Sequence, residues 1–70
     1  MSYELIARFE NKNRIFTVQK HKVQWTPPHE GEHPYFVVRD DAAQRGPFWD
    51  MDSAINDAEV WAGDGADRIY

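Results

Sequence analysis

The sequence predicts an α+β domain: a four-stranded, mainly antiparallel sheet with one C-terminal helix on one face (β-β-β-β-α). Three observations predict it. Residues 3–9 alternate with a period of two, residues 35–38 are β-branched and aromatic throughout, and residues 51–62 repeat at helical spacing. The seventy residues read as a single domain, with a loop at 26–34 and a flexible C-terminal tail at 63–70.

The first strand is expected over Tyr3 to Phe9. Tyr3, Leu5, Ala7 and Phe9 alternate with Glu4, Ile6 and Arg8, the pattern of a half-buried strand. Glu10-Asn11-Lys12-Asn13 follows, and asparagine tolerates the left-handed backbone of a tight turn. A second strand is expected from Arg14 to about Trp25. Its apolar positions change parity between Phe16/Val18 and Val23/Trp25, and a bulge near Lys20-His21-Lys22 would reconcile them. Thr26 to Pro34 holds three prolines and no periodicity, so it reads as a loop. Tyr35 to Arg39 is the third strand, and Pro47-Phe48-Trp49 is a short fourth strand after a polar connection.

The helix has the most complete local signals. Met51, Ala54, Ile55, Ala58, Trp61 and Ala62 share one face, Asp50 is a natural N-cap, and Gly63 suits a C-terminal stop.

Composition then excludes several classes of function. The chain has no cysteine, which excludes disulfides, thiolate metal sites and cysteine nucleophiles. Three Trp, three Tyr and four Phe point to an aromatic rather than a leucine-rich core. Twelve acids against eight basic residues argue against direct nucleic-acid or anionic-membrane binding. No long apolar run or signal-peptide pattern occurs, which predicts a cytoplasmic protein.

His29-Glu30-Gly31-Glu32-His33 matches the H-E-x-x-H of zinc proteases, whose chemistry needs both histidines on one helix face. Pro27, Pro28, Gly31 and Pro34 deny it that helix, so the expectation is a solvated loop and no metal site. Ser2 and Ser53 have no histidine nearby in sequence, and glycine-rich phosphate loops are absent. Lys20-His21-Lys22 beside Trp25 resembles a stacking-plus-phosphate patch, yet lysines on a strand also discourage edge aggregation. The expectation is therefore a protein that is not an enzyme and carries no cofactor.

The distribution of charge is the anomaly. Residues 40–70 hold eight acids against Arg45 and Arg68, a net of −6, whereas residues 1–39 net +2; together they give the overall −4. Asp50 and Asp52 favour the positive N-terminal end of the helix dipole. Glu59 and Asp64 lie at the wrong end, and no cation stands at i,i+4 spacing from the helical acids. A solvated face is the simplest reason for such acids. Local rules broken without compensation also mark binding sites.

The site expected on that basis is an acidic, helix-centred surface of Asp50, Asp52, Asp57, Glu59, Asp64 and Asp67. Trp49 is its expected aromatic anchor, with Val60 and Tyr70 as further candidates. Its expected partner is a basic protein surface, including one belonging to a nucleic-acid-binding complex.

In size, acidic balance and lack of cysteine the chain resembles small phage-encoded inhibitors, including anti-CRISPR and nucleic-acid-mimic proteins. That resemblance, which rests on size and charge, implies an inhibitor or modulator. The alternative expectation is a homodimer or larger homo-oligomer, with a structural or accessory role. Ile6, Ile15, Thr17 and Tyr35 or Phe36 would then form an exposed sheet interface.

Overall fold

The computed structural model describes residues 3–21 and 33–70. Its elements are β1 (Tyr3–Asn11), β2 (Arg14–His21), β3 (Tyr35–Arg39), β4 (Gln44–Phe48), α1 (Met51–Ala62) and β5 (Asp67–Arg68). The strands form one antiparallel sheet in the order β4-β3-β2-β1-β5, and α1 packs against one face. The α+β class follows as expected, but the sheet has five strands rather than four.

The fifth strand lies within residues expected to be a tail. β5 pairs Arg68 with Phe9 and Asp67 with Glu10, and the Ile69 amide donates to the Arg8 carbonyl at 2.7 Å. Two polar residues carry no periodic signal, so the strand is defined only by its neighbour. The loop expected at 26–34 and the His29–His33 motif lie mostly outside the described residues, as do Val23 and Trp25. Of that motif only His33 is described, and it is exposed.

β1 and β2 are joined by Lys12 and Asn13, both with positive φ (49° and 69°), as a two-residue hairpin turn requires. The register shift sits in β1, between Leu5 and Ala7, and β2 is regular from Arg14 to His21. Ala7 stands opposite Val18 and points into the core, while Leu5 stands opposite Gln19 and points away. Tyr3 and Leu5 therefore leave the face that Ala7 and Phe9 occupy, because one extra residue inverts the alternation.

β4 begins three residues earlier than the expected Pro47, since Gln44 and Arg45 pair with Val38 and Val37. It is an edge strand whose first three residues, Gln44-Arg45-Gly46, carry no apolar side chain, so a hydrophobic pattern reveals only its Pro47-Phe48 end. Gly46 adopts φ +138°, and a Cβ there would stand 2.9 Å from the Phe36 ring and 3.0 Å from the Tyr35 carbonyl oxygen. Only glycine fits that combination.

The core departs from the aromatic one expected. The buried hydrophobic residues are Ala7, Phe9, Phe16, Val18, Val37, Ala54, Ala58 and Ala62. Half of these are alanines, three of them at i, i+4 and i+8 along α1, which lets the helix lie close on the sheet. Tyr35, Phe48 and Trp61 are half-buried around this centre.

Candidate protein-binding face

The geometry of α1 places most of the expected site. Asp50 is the N-cap, with φ −128° and ψ 131°, and its carboxylate accepts from the Ser53 amide at 3.1 Å. At the other end the Gly63 amide donates to the Glu59 carbonyl at 3.1 Å, with Gly63 at φ 87°. The Asn11 side-chain amide reaches from β1 to donate to the Ala62 carbonyl (2.7 Å) and the Asp64 carbonyl (3.0 Å). This satisfies carbonyls that a helix end leaves without partners, and it ties the exit of α1 to the sheet. Asn11 was expected only as a turn residue.

With Ala54, Ala58 and Ala62 fixed inward, the outer face carries Asp52, Ser53, Asn56, Glu59 and Val60, all exposed. Val60 is 69% exposed. Asn56, Glu59, Val60, Gly63 and Asp64 line a shallow depression of about 300 Å³ at the C-terminal end of the helix. Glu59 and Asp64 thus face a common concavity with one apolar wall.

Asp57 stands apart from this row. At 100° per residue it lies about 140° around the helix from Asp52. Its side chain is 17% exposed, and one oxygen meets Arg45 of β4 at 2.9 Å. Its Oδ2 is buried and has no hydrogen-bond partner among the described residues. Asp57 was expected as an unpaired member of the acidic surface; here it joins the helix to the sheet edge. Helical spacing alone was the available signal for its separate position, whereas Arg45 could not be foreseen because the contact crosses elements.

Asp67 sits on β5 opposite Glu10, at the sheet edge rather than along α1. Trp49, just before the N-cap, is half-buried. Tyr70, by contrast, is 65% exposed beyond β5.

All five arginines of the chain are engaged away from the outer face of α1. Arg8 pairs with Glu10 at 2.7 Å, Arg14 with Asp40 at 3.4 Å and Arg45 with Asp57. Arg39 makes a two-pronged contact with Asp41 (2.8 and 2.7 Å), which holds the Asp41 carboxyl well below the usual carboxylate range. Arg68 donates to the Tyr70 carbonyl at 2.9 Å and lies over the Phe9 ring. Arg39 and Arg45 also stand over the Trp61 ring, each 5.2 Å from its centroid. Asp52, Glu59, Asp64 and Asp67 form no ion pair among the described residues.

The fold and this surface together define a class: a small α+β protein with a carboxylate-lined helix face and its arginines turned elsewhere. Within that class the chain matches no family model, no curated protein and no solved structure at a significant level. No helix among the described residues is long and apolar enough to cross a membrane. The described residues also contain no cluster of three or more His, Asp or Glu arranged to hold a metal ion.

Proposed function

We propose that this protein is a non-enzymatic binding module, an inhibitor or modulator that docks the outer face of α1 onto a basic protein surface. One observation carries the reading: Asp52, Glu59 and Asp64 are exposed and have no cationic partner among the described residues, while every arginine makes other contacts. An acidic face left uncompensated within the molecule is available to compensate charge on another.

A basic groove that normally holds nucleic acid is one partner such a face suits. Asp52, Glu59 and Asp64 lie along about 18 Å, on average one carboxylate per roughly 9 Å. A strand of duplex DNA carries one phosphate per ~3.4 Å, so the row matches a few separate phosphates rather than a continuous backbone. Val60 supplies apolar contact within the acidic row, and the depression beside it suits the stem of a lysine or arginine.

The test is an affinity pull-down from bacterial lysate at low and high salt. It compares wild type with a variant carrying Asp52→Lys, Glu59→Lys and Asp64→Lys. The partner should be lost from the variant at all salt concentrations and from the wild type at high salt, with circular dichroism unchanged. Equal capture by the folded variant, with the same salt dependence, refutes the reading.

A further inference from the structure

The face of the sheet opposite α1 carries a second surface. Phe16, Val18 and Val37 point toward the helix, so strand alternation sends Ile15, Thr17, Gln19, His21, Phe36 and Val38 to the other side. The β1 register shift adds Tyr3 and Leu5, which are 50% and 38% exposed. Among the described residues no helix or strand lies over this face.

Several of its polar groups are bonded to one another. Thr17 Oγ1 donates to the Val38 carbonyl at 3.2 Å, and Gln19 Nε2 donates to Thr17 Oγ1 at 3.0 Å. Gln19 Oε1 in turn meets His21 Nε2 at 3.1 Å. His21 stacks on Tyr3 and meets the Phe36 ring edge-on, with centroids 5.7 and 4.9 Å away. Arg8 and Glu10, on the same side, neutralise each other at 2.7 Å. Covering this surface therefore strands few donors or acceptors and buries no unpaired charge of that pair.

From these features we propose that the open sheet face packs against the same face of a second copy of this chain. Charge selects the occupant and the side. Two copies meeting through α1 would bring Asp52, Glu59 and Asp64 against their like, a repulsive arrangement. Meeting through the sheets places a charge-balanced surface on itself and turns both acidic faces outward. An isologous contact of this kind closes at two copies.

The area is sufficient for a modest affinity. Strand spacing of ~4.8 Å and a rise of ~3.3 Å per residue give β1 to β4 roughly 430 Å² in flat projection. Two such faces make roughly 860 Å² in flat projection, and side-chain relief adds to this, which puts the pair near the ~1,000 Å² lower bound for a specific interface. Aligned packing of two sheets would make a four-layer α-β-β-α particle.

Sedimentation equilibrium tests this without any partner. The mass should rise from 8.2 kDa toward twice that value. The rise is expected between about 5 and 500 μM protein, and 0.5 M salt should not weaken it. Leu5→Lys and Val38→Lys should each shift the transition at least about tenfold upward, and Glu59→Lys should leave it in place. Should Val38→Lys fail to fold, Leu5→Lys decides, because that side chain already meets solvent. A monomer at every concentration overturns the proposal. So does a dimer indifferent to Leu5→Lys, or one abolished by Glu59→Lys.

Discussion

Replacing Glu59 by lysine should make the protein more stable. Glu59 stands in the last turn of α1, where no basic residue is present, and its side chain is exposed. The C-terminal end of a helix acts as roughly −0.5 charge, and three residues of rise plus the helix radius put the carboxylate about 7 Å from it. In water, a unit charge at that distance from half a charge is repelled by about 0.3 kcal/mol. Reversing its sign gains about twice that. Asp64 lines the same depression and adds repulsion of the same sign, which brings the expected gain to about 1 kcal/mol at low ionic strength. For a domain of this size, that gain raises Tm by roughly 3–8 °C. Thermal melts by far-ultraviolet circular dichroism at low and high salt measure it, with Glu59→Gln giving about half the shift. The increment should shrink as salt screens it. A lower Tm for Glu59→Lys, or a gain indifferent to salt, refutes the electrostatic reasoning. Asp52→Lys should shift stability the other way, because Asp52 lies in the favourable first turn.

Three further outcomes are expected. Asn11→Ala removes both bonds to the end of α1 and should destabilise by about 1–2 kcal/mol in urea unfolding, with hydrogen exchange rising first at residues 60–64. Arg45→Gln leaves Asp57 half-enclosed and unpaired, at about 1–3 kcal/mol; a double-mutant cycle with Asp57→Asn should show coupling near 1 kcal/mol, and none would mean the pair is incidental. The Asp41 carboxyl, lowered by the Arg39 hydrogen bond, contributes stability that is present above the ordinary aspartate pKa and lost as pH falls below about 4. Arg39→Gln should move the NMR titration of Asp41 upward toward the ordinary range, with the Ala43 amide and Arg14 still lowering it, and reduce the acid-side loss of stability.

How much of this was legible in the sequence depended on whether the determinants were local. Helix α1 runs from Met51 to Ala62 with Asp50 and Gly63 as its caps, as the sequence implies, because each signal lies within four residues of what it controls. Tyr35–Arg39 was legible for the same reason. β1 was misread in its parity: Tyr3, Leu5, Ala7 and Phe9 look like one continuous face, and only Gln19 and Val18 across the ladder reveal the extra residue between Leu5 and Ala7. Of the two edge strands, β5 is Asp-Arg and β4 opens on Gln44-Arg45-Gly46, so β5 and the start of β4 leave no apolar trace, and only Pro47-Phe48 of β4 was legible. The acidic surface was legible as composition but not as geometry, since Asp57 belongs to Arg45 and Asp67 to β5.

The small-residue core bears on where the two proposed surfaces fall. Ala54, Ala58 and Ala62 lie fully or nearly buried against Ala7, Val18 and Val37, so α1 sits close on the sheet, with Phe9 and Phe16 as the large buried side chains of the core. Other large groups lie outside this centre: half-buried Trp61 meets the buried Phe16 edge-on, and Phe36 lies beside Gly46 on the far face. The exposed large hydrophobics divide the same way, with Met51 and Val60 on α1, Tyr3 and Leu5 on the open sheet, and Ile69 and Tyr70 beyond β5. Those on α1 share their surface with carboxylates that form no ion pair among the described residues, and those on the sheet with several polar groups bonded to one another. The two proposals rest on this division: a basic partner for the helix side, and a second copy for the sheet side. Each surface can be altered by a single lysine without touching the alanine seam that holds the layers together.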